Sequence, residues 1–317
     1  MTRYLIRRGL ESLAVLLVMS FAIYGLMGLM PGDPIDVMVQ SDPNLTPADA
    51  ARLKALYGLD RPIGERYLNW LGAALEGDLG YSRLNNRPVL EVLGPRLLNT
   101  ILLMGLSLAV ALAIAVPVGV LSALRPYSKT DYAINFGALA GISIPVFWLA
   151  LMLIVVFSVQ LGWLPAGGMQ TIGSEGWLDR AKYLILPVLS LSLASVGGFT
   201  RFMRAAMMES MRQDYIRTAR AKGVPERRVV YKHALRNAMI PVVTILALSF
   251  GTLFSGALIT ETMFSYLGMG KLIYDSIMGN DYNLALVSLL FATFLVLLSN
   301  LLADICYAWL DPRVTYR

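Results

Sequence analysis

Charge is what this sequence has least of. Lys, Arg, Asp and Glu make up 15% of its 317 residues, against roughly 25% in ordinary soluble domains. There is one cysteine, Cys306, so no disulfide can form within the chain. The single histidine, His233, has no Cys or His neighbour at metal-ligand spacing. Redox and metal chemistry therefore lack their usual residues. A phosphate-binding loop is also missing. The nearest string, Gly268-Met269-Gly270-Lys271-Leu272, has the Gly-Lys pair, but Ser265 stands where the motif needs its first glycine and no Ser or Thr follows the lysine.

What is abundant is apolar: 56% of the residues are hydrophobic. The few charges are bunched, leaving charge-free runs at 12–32, 97–124, 132–174, 183–200, 237–260 and 283–303. Each approaches or exceeds the roughly 18 to 20 helical residues needed to cross a hydrocarbon layer about 30 Å thick. Six transmembrane helices are expected. The third run is too long for one helix, but Gly162, Pro165, Gly167 and Gly168 close its helical pattern and leave one span over about 133–161.

Arg3, Arg7 and Arg8 before the first run resemble the start of a signal peptide, yet Leu29-Met30-Pro31-Gly32 offers no small-residue cleavage site, so retention as an anchor is expected. With six spans both termini share a side, and basic residues assign it to the cytoplasm. The segments 1–11, 125–131, 201–236 and the tail after Trp309 are all rich in Arg and Lys. Residues 201–236 hold ten basic residues against Glu209, Asp214 and Glu226. The opposite segments show no such excess: 33–96 carries nine acidic against seven basic residues. The net charge of +6 thus follows from membrane insertion and calls for no nucleic acid.

Three divisions follow along the chain: 1–30, the N-terminal tail and first span; 31–96, an outer cap; and 97–317, a core of five spans with a cytoplasmic loop at 201–236. In the cap, Thr46-Pro47 offers an N-cap and first helical residue for a short helix ending at Gly58. Tyr67, Trp70, Leu71, Ala74 and Leu75 have helical spacing and stop at Gly77.

The span interiors are almost free of ionisable groups. Glu11, Arg201, Glu261 and Asp304 fall at predicted ends, where an interfacial charge is expected, so neither an intramembrane enzyme nor a proton-coupled carrier is indicated. Two small-residue pairs, Gly137 with Gly141 and Gly251 with Ser255, would allow close helix approach or simply face lipid. Ser143, Ser192, Thr244 and Asn300 could face a cavity or bond their own helix's carbonyls.

The segment 201–236 has the most structure to read. Met208, Met211, Tyr215 and Ala219 predict a helix over 207–222 with Arg212, Arg217 and Arg220 on other faces. Gly223 ends it, because glycine tolerates positive φ, and Pro225 can begin a second helix over 226–237. The product is a projecting helix-turn-helix knob suited to a groove on another subunit. A solvated basic loop obeying the positive-inside rule explains the same charges.

The string Asp214-Tyr215-Ile216-Arg217-Thr218-Ala219-Arg220-Ala221-Lys222-Gly223, with His233-Ala234-Leu235-Arg236-Asn237-Ala238 and Ile240-Pro241-Val242-Val243, resembles the cytoplasmic loop of ABC importer permeases. More narrowly, the chain is similar over its whole length to the first (B-type) permease of the dipeptide/oligopeptide/nickel uptake systems. Tyr4-Leu5-Ile6-Arg7-Arg8, Pro31-Gly32-Asp33-Pro34, Gly77-Asp78-Leu79-Gly80, Pro117-Val118-Gly119-Val120, Thr260-Glu261-Thr262 and Asp311-Pro312-Arg313 carry that likeness in order. Where the general loop has Glu-Ala-Ala, three residues and Gly, this chain has Arg217, Thr218, Ala219 and then Gly223, so only the docking role of the helix is carried over.

The resemblance implies an all-α type I importer permease of the bacterial inner membrane with a cytoplasmic coupling helix. Asp214, Tyr215, Arg217, Thr218, Ala219, Arg220 and Gly223 would meet an ATPase. It implies a second homologous permease, two cytoplasmic ABC ATPases holding ATP and Mg, and a periplasmic or lipid-anchored binding protein, with no cofactor and no catalysis in this chain. The solute would be a di- or oligopeptide, glutathione or a nickel chelate. A secondary transporter or channel is the competing class; it would need intramembrane charges or inverted repeats, neither of which is evident. A membrane scaffold without transport is the other.

Overall fold

A computed structural model describes residues 2–29, 46, 48, 49, 52, 54, 61–174 and 176–310. The Pro31-Gly32-Asp33-Pro34 string, most of the expected 46–58 helix and Asp311-Pro312-Arg313 lie outside them. At Thr46 the expected cap is present: its hydroxyl accepts from the Asp49 amide at 3.3 Å, and the Asp49 carboxylate accepts from the Thr46 amide at 3.0 Å.

The elements are α1 (Thr2–Gly28), α2 (Ile63–Leu75), the two-residue strands β1 (Tyr81–Ser82) and β2 (Arg87–Pro88), α3 (Val89–Leu124), α4 (Lys129–Ser143) and α5 (Val146–Leu153). Then come α6 (Trp177–Ser210), α7 (Asp214–Ala221), α8 (Leu235–Met263), α9 (Met269–Met278) and α10 (Tyr282–Leu310). Two compact units result: Met1–Asn99 with Gly268–Leu297, and Thr100–Leu267 with Leu298–Arg317.

In the first unit the helix expected around Tyr67 and Trp70 is α2, ended by Gly77 at φ +93°. It rests on α1 through aromatic rings: Phe21 and Tyr24 meet Tyr67 edge-on at 5.2 and 5.7 Å, and the Tyr67 hydroxyl shares a 2.7 Å hydrogen bond with Ser20. Val89 and Leu93 of α3, Met269 and Leu272 of α9, and Leu284 and Val287 of α10 form its buried cluster. The hairpin is held by Asp281, whose carboxylate accepts from the Ser82 hydroxyl at 2.6 Å and the Leu84 amide at 3.0 Å.

In the second unit the expected single span over 133–161 is instead two helices, α4 and α5, bent by 96°. The cause is Pro145. Its ring disfavours helical geometry at the residue before it, and Ile144 accordingly turns to φ −81°, ψ 122°. After α5 the chain continues as a π-helix, Ile154–Gln160, and stops at Gly162 with φ +62°.

Four helices among the described residues are long and apolar enough to cross a membrane: Ile6–Gly28, Val89–Leu124, Trp177–Ser210 and Tyr282–Leu302. The bent pair makes five if it is one span. The remaining expected span, 237–260, falls within α8. The structure thus supports four or five of the six spans by length and composition.

Of the two alternatives for the small-residue pairs, close helix approach is not what Gly137 and Gly141 make within this chain. Gly137 has open space where a Cβ would be, and Gly141 meets only the Leu193 carbonyl at 3.9 Å. The close approach of α4 to α6 is made by Gly197, which lies directly against the Ala138 carbonyl. The side chains around Gly251 and Ser255 lie outside the described residues. Glu261 is not a snorkelling charge: it is fully buried, and the Thr100 hydroxyl donates to it at 2.5 Å. Ser143 and Ser192 do bond their own helices, donating to Leu139 and Leu189 carbonyls at 2.9 and 3.2 Å; the Thr244 side chain is outside the described residues.

Candidate coupling site

The predicted helix over 207–222 is broken. α6 runs through Ser210, and the turn Met211 to Gln213 closes with short-range amide bonds, Arg212 to Glu209 at 3.1 Å and Gln213 to Ser210 at 3.2 Å. No glycine or proline marks this stop in the sequence. It is set by tertiary bonding: the buried Ser210 hydroxyl lies 2.7 Å from the Tyr215 hydroxyl and donates to the Ala234 carbonyl at 2.9 Å. One serine thus ties the end of α6 to both sides of the knob.

From Asp214 the chain turns once more into helix, α7, whose buried residues are Ile216 and Ala219. The i, i+3 pair faces a cluster made of Val120 and Ala123 of α3, Met203 and Met207 of α6, and Val229, Val230 and Ala234 ahead of α8. Ala219 therefore points inward, and its small side chain lets α7 lie close. Asp214, Arg217, Thr218, Arg220 and Gly223 are on the exposed side, with the Asp214 and Arg217 side chains 93% and 77% accessible and paired loosely at 3.4 Å. Thr218 donates to its own helix at the Asp214 carbonyl, 2.9 Å away.

Gly223 closes α7 as expected, at φ +72°. Its amide bonds the Arg220 carbonyl at 2.9 Å and the Val224 amide bonds the Ala219 carbonyl at 3.2 Å, the paired pattern of a Schellman turn. Arg220 then clasps Glu226 across the turn with two bonds of 3.1 and 2.6 Å. Arg220 holds the Glu226 carboxyl below its ordinary range. Because that pKa is lowered on folding, the clasp is intact at neutral pH and opens only as acid brings the pH down through it. Both side chains are about half exposed, so the pair stabilises the turn by no more than ~1 kcal/mol.

The second helix expected over 226–237 is also subdivided. Pro225 caps a three-residue turn, Glu226–Arg228, which passes through a π-helical segment, Val229–Ala234, into α8.

One feature of the site has no local sequence signal. Asp131, at the start of α4, is almost wholly buried and receives Arg204 of α6 through two bonds of 2.7 and 2.6 Å. The Ser122 hydroxyl, the Tyr127 amide and the Asn135 amide also donate to that carboxylate. The loop between α3 and α4 is thereby fastened to the helix that ends at the knob. The two residues are 73 positions apart, so periodicity and spacing say nothing about them.

Residues 115–316 match the family of binding-protein-dependent transport system inner membrane components, and residues 1–104 match the N-terminal part of the same membrane components. The chain belongs to this permease family. The oligopeptide transport system permease protein AppB of Bacillus subtilis is 45% identical over the full length of both chains. The dipeptide transport system permease protein DppB of Alkalihalophilus pseudofirmus is 36% identical, and the glutathione transport system permease protein GsiC of Escherichia coli K12 is 35% identical, each over all of this permease. The fold is similar to a chain of the inward-facing methionine ABC transporter MetNI, with TM-score 0.53 and 19% identity over 67% of this permease and 93% of that chain. The permease is therefore a membrane-spanning transport subunit of an ABC importer, and its role is transport rather than catalysis.

Proposed function

We propose that this permease forms, with a second homologous permease, the inner-membrane path for di- or oligopeptides or a related small solute such as glutathione. The full-length likeness to oligopeptide, dipeptide and glutathione permeases supports that solute class. In this reading both termini and the segment 201–236 are cytoplasmic, residues 1–30 enter the membrane, 31–96 form the outer cap and 97–317 the translocating core. Two cytoplasmic ATPases bind ATP and Mg, and an external binding protein delivers the solute.

The observation that carries the reading is the shape of α7. It is a short helix fixed on one side by Ile216 and Ala219 and closed by a glycine turn, while Asp214, Arg217 and Thr218 point away from the protein. A helix held this way transmits a push as a rigid body, because its inner face shares one packed cluster with α3, α6 and the start of α8. Tyr215, tied to Ser210, and Arg220, tied to Glu226, brace the helix; Arg217, Asp214 and Thr218 are the residues free to touch the ATPase.

The test is disulfide crosslinking. With Cys306 replaced by serine, Arg217→Cys should crosslink to a cysteine placed in the groove of the co-expressed ATPase, whereas Ala219→Cys, facing inward, should not. Equal crosslinking at both positions, or none at Arg217, would remove α7 from the interface.

A further inference from the structure

Beyond α7, the chain returns to the membrane past an open cleft of about 630 Å³ lined by Pro225, Arg227, Arg228, Tyr231, Lys232 and Arg236. Four of its six lining residues are cationic, and none is acidic. Elsewhere in this region a cation beside a carboxylate is paired with it: Arg204 with Asp131, Arg217 with Asp214, Arg220 with Glu226. Among the described residues no ion pair engages Arg227, Arg228, Lys232 or Arg236, and the adjacent acid, Glu226, is already held by Arg220.

The placement of these cations follows from the helix they ride on. Val229, Val230 and Ala234 are buried in the cluster beneath α7, which turns the intervening positions outward. Arg228, Lys232 and Arg236 recur every fourth residue and line the same cleft. Arg236 directly precedes the charge-free run 237–260, the span expected within α8, and in that placement it stands where the helix enters hydrocarbon. Eight residues, among them the π-helix Val229–Ala234, which rises less steeply than an α-helix, carry the ladder no more than roughly 12 Å from that boundary. A lipid headgroup layer is roughly 5 to 8 Å deep on each side of a bilayer. With the helix along the membrane normal, Arg236 and Lys232 thus fall within the layer, and Arg228 lies on its aqueous side, within reach of it through its long side chain.

We propose that this cleft binds the phosphodiester headgroup of an anionic phospholipid in the leaflet that α8 enters. Guanidinium forks take phosphate oxygens in bidentate pairs, the ammonium of Lys232 supplies a third cation, and the exposed hydroxyl of Tyr231 can donate to a further oxygen. The lipid would seat itself against the segment that joins the knob to α8, so its occupancy would set how firmly Val229–Ala234 is held. The proposal rests on the membrane placement of α8 and not on the docking of α7, so the two can fail separately.

The experiment uses the permease co-purified with its partner subunits in phosphatidylcholine nanodiscs containing a small fraction of phosphatidylglycerol. Phosphatidylglycerol retained per complex is counted by mass spectrometry, with the Arg217→Cys crosslink read in the same samples. Arg228→Gln, Lys232→Gln and Arg236→Gln should each weaken retention about five-fold, the equivalent of ~1 kcal/mol per cation at an anionic surface. Lys232→Arg should retain it, and Arg212→Gln and Lys222→Gln, exposed cations outside the cleft, should leave it unchanged. Excess inorganic phosphate should not compete.

Three outcomes overturn the proposal. Unchanged retention in the triple glutamine variant means the cleft holds no lipid. Full competition by inorganic phosphate makes the ligand a free anion. Loss of the ATPase from the complex with lipid retention intact makes the cleft a protein contact.

Discussion

At the scale of single residues, the knob depends on a backbone conformation more than on any contact. Gly223 holds φ +72°, and nothing lies within 4 Å of the place a Cβ would occupy. A Cβ there meets no steric neighbour, so the penalty for alanine is the left-handed backbone alone, roughly 1–2 kcal/mol, and a β-branched residue costs more. Gly223→Ala should therefore insert and accumulate normally while ATP-driven uptake falls, and Gly223→Val should fall further. Uptake rates normalised to membrane abundance check this; a Val variant as active as the parent would disconnect the turn from transport. The glycine was legible because its position, followed two residues later by proline, has a local cause. Ser210 was not, since its hydroxyl acts across 24 residues to the Ala234 carbonyl.

At the scale of elements, the fastening of α4 to α6 makes an asymmetric prediction. The Asp131 side chain is 3% accessible and that of Arg204 22%, so the two partners do not suffer equally when the other is removed. Arg204→Ala leaves a buried carboxylate with only neutral donors. It should destabilise by an amount toward the lower end of roughly 3–5 kcal/mol. Asp131→Asn leaves a cation that can still reach water, and should be milder. The double variant should cost less than the sum of the two, because the second substitution removes a group the first had stranded. Unfolding temperatures in detergent around this cycle measure the coupling; additive effects would mean the pair contributes nothing.

Element boundaries show the same division between local and distant causes. The stop of α2 at Gly77 and of α7 at Gly223 were readable from glycine. The 96° bend at Pro145 was readable in principle, but the glycines further on drew the boundary to themselves. The small-residue pair at Gly137 and Gly141 was a sequence pattern without a packing role, while Gly119 lies 2.7 Å from the Met203 Cβ and 2.9 Å from the Thr200 carbonyl in the imagined Cβ position. A motif of small residues names which helices can approach, and only the partner helix decides where.

At the scale of the whole molecule, the decisive property is energetic. Uphill transport needs a coupled downhill step. Among the described residues the buried carboxylates Asp131, Glu261 and Asp281 are engaged structurally, by Arg204, by Thr100, and by Ser82 and Leu84, and the sequence has no phosphate-binding loop. An ion-driven carrier would instead place ionisable groups along its path. The family of binding-protein-dependent importers takes its force from ATPase partners, and in the function proposed above that force enters through α7, whose buried residues share a cluster with α3, α6 and the start of α8. Reconstituted alone in vesicles, the permease should accumulate no peptide under a proton or sodium gradient. Adding the second permease, the ATPases, the binding protein and ATP should produce accumulation that stops when ATP is withheld. Accumulation by the lone chain under an ion gradient would make it a secondary transporter, and α7 would then need another purpose.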